Sequence, residues 1–374
     1  MNELTTQQKP QRLKSLDALR GFDMFWITGG QKIIYALAVM TGLPAFTWMN
    51  GQMHHVEWNG FAAYDMIFPL FLFLAGVSMP FSFAKRIQNG DSKKSIYKHA
   101  FTRMILLVIL GLIYNHFLDF DLANQRYASV LCRIGTAWFF ATIIYLNSSL
   151  RWQIVWFWGL LIGYCLMMLF IPVPGFGAGV LTPEGNLAAF IDQTFLPGKL
   201  FMGTMDPEGI LSTLPAISTA LLGVFAGRFL KFEDIRFTPQ KKALVLIGAG
   251  IVSMILGLIW DLFFPINKNL WTSSFVLYVG GLSLILLGIF YLIIDVWGFK
   301  KWAFFFIVIG MNPITIYMVQ FRIIKFDVIR DFFFKGLITH SPQFVAPMLS
   351  GLGYVAAVWV FLYILYRKKI FLKV

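Results

Sequence analysis

Apolar runs of roughly 20 residues recur along almost the whole chain. Each is long enough to cross a bilayer core of about 30 Å as a helix. Of 374 residues, 58% are hydrophobic and 13% charged, with 40 Phe and 12 Trp; soluble domains carry about 25% charged residues. The chain reads as an all-α, polytopic transmembrane bundle. About ten spans are expected, near residues 18–40, 60–84, 99–118, 128–147, 151–171, 208–230, 241–262, 271–295, 302–321 and 345–366. The segment 322–340 alternates charges with Ile and Phe and reads as an interfacial amphipathic helix, with a short eleventh span as the alternative.

The net charge of +13 is distributed between alternate apolar runs. Lys85, Arg86, Lys93, Lys94 and Lys98 form one cluster, and Arg228, Lys231, Arg236, Lys241 and Lys242 another. By the positive-inside rule these loops, the N-terminus and the tail Arg367-Lys368-Lys369 are cytoplasmic, and loops 41–59, 118–127, 172–207 and 262–270 face outward. The charges from Arg322 to Lys335 run against that rule. No basic stripe with interleaved aromatics is present, which argues against nucleic acid as a partner. The expected organisation is a cytoplasmic tail 1–16, a membrane domain 17–367 with outer loops 41–59 and 172–207, and a basic cytoplasmic tail 368–374. The first apolar run follows the polar N-terminus with no small-residue cleavage site, so a retained helix is expected. Cys132 and Cys165 fall in apolar runs without metal-type spacing and read as core residues. Within loop 172–207, Asn186 to Phe195 reads as a short helix. Gly223 and Gly227 have the small-xxx-small spacing of close helix packing.

Against this apolar background, polar groups gather at the outer ends of the spans. His55, Glu57, Trp58 and Asn59 precede span 2, and Asp65 lies about one turn into it. Arg133 lies inside span 4, Glu208 opens span 6, and Lys268 and Asn269 precede span 8. Asp206-Pro207 reads as a helix cap followed by a first-turn proline. A lone interfacial histidine is usually satisfied by backbone, and Asn59 could simply cap a helix. Charges at membrane depth, however, usually mark sites or pathways, which singles out Asp65 and Arg133. An imidazole with a carboxylate beside it is a serviceable base: the carboxylate fixes the tautomer, and the ring takes a proton or an acyl group. At the inner ends lie Asp17, Arg20, Asp23, Arg103 and Arg228; the arginines suit phosphate recognition. No P-loop, dinucleotide fingerprint or metal-ligand spacing appears, so no metal is expected.

The ordered motifs resemble one family. Arg12-Leu13-Lys14-Ser15-Leu16-Asp17-Ala18-Leu19-Arg20-Gly21-Phe22 is similar to the opening of the heparan-α-glucosaminide N-acetyltransferase family. His55-x-x-Trp58-Asn59-Gly60 with Asp65-x-x-Phe68-Pro69, Leu131-Cys132-Arg133-Ile134-Gly135 and Asp206-Pro207-Glu208-Gly209 follow in family order. So do Asn267-Lys268-Asn269-Leu270-Trp271 and Gly310-Met311-Asn312-Pro313. The broader acyltransferase-3 proteins share the opening motif but place their histidine in the first span, where this chain has none. Asp23 departs from the apolar residue that the resemblance leads one to expect.

The resemblance implies a transmembrane enzyme moving acetyl from cytosolic acetyl-CoA to an amino sugar across the membrane. It implies catalytic His55 and Asp65; Glu57, Trp58, Asn59, Arg133, Glu208, Lys268 and Asn269 are expected around the sugar. Arg20, Arg103, Arg228 and Asn312 would bind the coenzyme. A compact bacterial inner-membrane relative, linked to N-acetylglucosamine use, is implied, and a homodimer is left open. Two other readings remain: a carrier using His55 and Asp65 as a proton relay, and an O-acyltransferase acting on an envelope polysaccharide. Inverted repeats and paired broken helices, which mark many carriers, are not visible in the sequence.

Overall fold

The computed structural model describes residues 13–372. Residues 1–12, which include most of the expected N-terminal tail and Arg12 of the opening motif, lie outside the described residues, as do 373 and 374. Helices make up 71% of the structure and no strand occurs among the described residues. Among the described residues, eight helices are long and apolar enough to cross a membrane, and they match eight of the ten expected spans. They comprise Ala63–Gln88, whose regular part is α4 (Ile67–Gln88), with α5 (Lys93–Tyr114), α6 (Val130–Asn147) and α7 (Leu150–Phe170). The others are α9 (Thr213–Lys231), α10 (Pro239–Asp261), Ser273–Val296 around α11 (Ser273–Phe290), and α15 (Ala346–Arg367). Helix α10 turns Leu244, Ile251, Ile255 and Ile259 outward, as expected of a helix whose outer face meets lipid rather than water. This is a multi-pass membrane protein.

The other two expected spans are not single helices. The stretch 18–40 comprises α1 (Lys14–Phe25) and α2 (Gln31–Thr41), separated by a π-type turn over Trp26–Gly30 in which Thr28 and Gly29 leave helical geometry. Gly29 has φ +120°, a conformation open to glycine and strained for other residues. The stretch 302–321 comprises α12 (Ala303–Gly310) and α13 (Pro313–Arg322), bent by 72°. Pro313 has no N–H to continue α12 and disfavours helical geometry at Asn312, whose φ and ψ are −134° and 48°. The helices that lead into the two interruptions are in contact, because α1 packs on α12 backbone to backbone. A side chain on Gly21 would strike the Phe306 carbonyl, and one on Gly310 the Asp17 carbonyl. Two interrupted helices in contact with each other are therefore present.

Between positions 44 and 51 runs α3 (Pro44–Gly51), and α8 (Leu187–Phe195) is the expected short helix of the long loop. Asn186 caps α8, its Oδ1 accepting the Ala189 N–H at 2.8 Å. The segment after α13 forms α14 (Phe326–His340), which packs on α15 and is not among the helices able to span. At the centre, α4 and α9 touch backbone to backbone where Gly223 and Gly227 meet Phe73 and Val77, the packing their spacing predicts. Around them Leu72, Trp138, Ile217 and Phe275 form the largest apolar core. Cys132 and Cys165 are free thiols.

Candidate active site

Loops from three parts of the chain close over one end of α4. Gln52 folds the first back on itself: its carbonyl accepts the Tyr64 N–H and its side-chain oxygen the Ala63 N–H, both at 3.0 Å. This sets up the 3₁₀ turn Ala63–Met66, in which Asp65 is only 1% exposed. Asp65 Oδ2 accepts the Ala62 N–H at 3.0 Å, and Oδ1 faces Nδ1 of His55 at 2.6 Å. The carboxylate therefore assigns the ring proton to Nδ1 and leaves Nε2 with its lone pair. The ring itself is half exposed, and Tyr64 packs against it at 4.9 Å.

The second loop, 262–272, delivers Lys268. Ile266 accepts the Gly60 N–H at 2.8 Å, and Asn267 donates to Asn59 Oδ1 at 3.0 Å. Asn267 Oδ1 in turn accepts the Leu270 N–H at 2.9 Å, so this buried amide shapes its own turn. Lys268 Nζ lies 3.0 Å and 3.1 Å from the two nitrogens of His55 and 3.5 Å from Asp65 Oδ1. Near-equal distances put the amine against the ring. Burial lowers the proton affinity of Lys268, with Asp65 and Glu208 pulling the other way.

The third loop, 171–212, is pinned to the first by Trp58, whose Nε1 donates to the Leu181 carbonyl at 2.9 Å. It carries Asp206 and Glu208. Neither caps a helix as the sequence suggests, because α9 begins only at Thr213. Both instead face Arg126, which clamps Asp206 through Nε at 2.7 Å and Nη2 at 2.6 Å and also bonds Glu208. Burial alone would raise the Asp206 carboxyl; the Arg126 guanidinium outweighs it and holds the group below its ordinary value. Asp192 of α8 accepts the Ile210 N–H at 2.9 Å and the Asp206 N–H at 3.3 Å. Among the described residues no cation clamps Asp192 as Arg126 does Asp206, and burial pushes it up to about 6. Arg126 and Asp192 are thus structural supports that sequence reading missed, and Asn267, read there as part of a motif, is a third support.

His55, Tyr64, Lys268 and Glu208 line one cavity of about 190 Å³. It runs inward past Phe68, Ile134 and Tyr317 to Asp23 on α1. Arg133 is not on this wall. Only 1% exposed, it donates to the Gly209 carbonyl at 3.0 Å and bonds Ser212, holding the turn after Glu208, with Trp271 5.2 Å from its guanidinium. It lines a second cavity of about 580 Å³ between α6, α7 and α9, and Glu208 borders both. Of the other expected substrate residues, Asn59 and Trp58 are engaged in joining loops. Asn269 reaches the Glu57 carbonyl at 3.5 Å, and the Glu57 side chain is exposed.

Of the expected coenzyme residues, Arg20 bonds Ser78 on α4 and lies close enough to Arg103 for their charges to act on each other. Arg103 sits 4.2 Å from the Trp138 ring. Arg228 donates to Gln153 at 3.1 Å and approaches Tyr145. Trp138 and Tyr145 both pack on Phe83, so one aromatic row links the arginines. Asn312 stands apart: it donates to the Ile370 carbonyl at 3.0 Å and accepts the Leu372 N–H at 3.3 Å, fixing the C-terminal segment to the helix break. No group of three or more metal-type ligands occurs among the described residues.

The arrangement is a base held by a buried carboxylate at the mouth of a narrow pocket. No family model matches the chain. The chain is 29% identical to the heparan-alpha-glucosaminide N-acetyltransferase of Homo sapiens, over 98% of its own length and 60% of the relative's. It is 27% identical to the enzyme of that name from Mus musculus, over 99% of its own length and 62% of the relative's. It thus spans about three fifths of the curated relatives it matches.

Proposed function

From this near-full-length similarity, which supports membership of the heparan-alpha-glucosaminide N-acetyltransferase family, we propose that the protein is a transmembrane acetyltransferase. Acetyl-CoA is the donor and the amine of glucosamine or a related amino sugar the acceptor. The observation that carries this reading is the His55–Asp65 pair at 2.6 Å, opening into a cavity that runs into the bundle. Nε2 of His55 takes a proton from the sugar ammonium, and Asp65 stabilises the imidazolium that forms. The freed amine attacks the thioester carbonyl, the C–N bond forms, the C–S bond breaks, and the thiolate takes up a proton. In the two-step variant the Nε2 lone pair attacks first, and the amine then displaces acetyl from the ring. Glu208, at the same mouth, suits an ammonium group. The donor enters from the cytoplasmic face of a bacterial inner membrane, its phosphates near Arg20, Arg103 and Arg228, and the sugar arrives from the opposite side.

The paired broken helices favour a second reading, because many carriers build their sites from such pairs. In that reading His55 and Asp65 relay protons for an amino-sugar carrier. Reconstitution in liposomes separates the two, with acetyl-CoA on one side and glucosamine on the other. N-acetylglucosamine is expected to form, and His55→Ala should lower its rate by about 100-fold or more. Glucosamine crossing unmodified in the absence of acetyl-CoA would replace the enzyme with the carrier.

A further inference from the structure

The cavity at His55 contains a carboxylate for which the chemistry above has no use. Asp23 lies on α1, three residues before the break begins at Trp26. It is 2% exposed and lines the same cavity as His55 and Lys268. Its Oδ2 meets no hydrogen-bond donor among the described residues. Between it and His55 the wall is largely apolar, with Phe68, Phe71, Ile134 and Ile314. An acceptor left without a donor in such surroundings is costly, and ionisable groups kept inside a membrane bundle usually mark a ligand path. Arg20 lies three residues earlier on the same helix, a rise of about 4.5 Å. Asp23 is therefore within one helical turn of the basic group expected to hold the coenzyme phosphates, at the wall of the cavity that ends at the base.

We propose that Asp23 accepts a hydrogen bond from an amide N–H of the phosphopantetheine arm of the acetyl donor, and so selects and positions that donor. This rests on the acetyltransferase reading. An arm that begins at Arg20 and presents its thioester to His55 passes Asp23. The arm is mostly apolar and suits the Phe and Ile wall, while its amide N–H groups lose water on entry and need an acceptor. The unpaired carboxylate oxygen is that acceptor. A donor carrying acetyl on a group without amide N–H would leave Asp23 unsatisfied and bind less well.

The test uses the full chain purified in detergent, with coenzyme A and an adenosine bisphosphate lacking the arm as calorimetric probes. Asp23→Leu removes the acceptor; Asp23→Asn keeps a carbonyl acceptor and removes the titratable group. Asp23→Leu is expected to weaken coenzyme A binding by about tenfold, to leave the bisphosphate unchanged, and to raise KM for acetyl-CoA with kcat little altered. Asp23→Asn should stay close to the native protein in all three. Bisphosphate binding reports that each variant is folded. Native-like coenzyme A binding by Asp23→Leu overturns the assignment and leaves the acetyltransferase reading intact. An Asp23→Asn variant that binds coenzyme A normally but turns over no substrate also overturns it, and makes Asp23 a proton carrier. If the native protein binds no coenzyme A, the acetyltransferase reading fails first.

Discussion

The Nδ1 proton of His55 is committed to a carboxylate that is itself anchored by the backbone, which leaves the Nε2 lone pair as the ring's basic site. That pairing could be anticipated from residue types and a spacing of ten, although spacing alone gives no contact. The supports around it were hidden for a physical reason. Asp206-Pro207 has the local form of a helix cap, and local form says nothing of an arginine 80 residues away. Arg126 stands in a loop read as poor in cations, and its partnership with two acids is a tertiary fact. Asp192 gives a pH signature. Its carboxyl is raised from 3.8 to about 6, so the folded protein binds that proton more tightly than the unfolded chain. The resulting stability is present in acid and is lost as pH rises through about 6. Melting of the purified protein should therefore move to lower temperature from about pH 5 to about pH 7, and Asp192→Asn should flatten that slope. An unchanged slope in the variant would refute this source.

The eight continuous spans were readable because each is a long apolar run, and their boundaries fall within about six residues of expectation. The two interrupted ones were read as continuous because hydropathy averages across a break. Local signals were nonetheless present: Gly29-Gly30 in one and Asn312-Pro313 in the other. What the sequence could not supply was that both breaks belong to helices in direct contact. Gly21 sets that contact, since any side chain there meets the Phe306 carbonyl. Gly21→Val should destabilise the protein by about 1–3 kcal/mol, seen as a lower melting temperature in detergent. Gly163→Val on α7, where nothing lies within 4 Å, is the matched control and should melt like the native protein. Equal melting of the two variants would remove the α1–α12 contact from the account.

For the whole molecule, the distribution of Lys and Arg predicts an orientation that labelling tests. In a background with Cys132 and Cys165 replaced by Ala, a cysteine at Gly90 should react with membrane-impermeant maleimide only after the cells are opened. One at Glu184 should react in intact cells. The reverse pattern would turn the protein over and put His55 on the cytoplasmic side. The backbone contact of α4 with α9, at Gly223 and Gly227, bears on mechanics as well. With no side chains between them, these helices have no slack to slide or tilt, and they frame the base and the turn after Glu208. Helical geometry breaks elsewhere, at Trp26–Gly30 and at Asn312. The mouth at His55 is thus mounted on an anvil, and any breathing that admits a bulky molecule is expected at the broken helices, one of which carries Asp23.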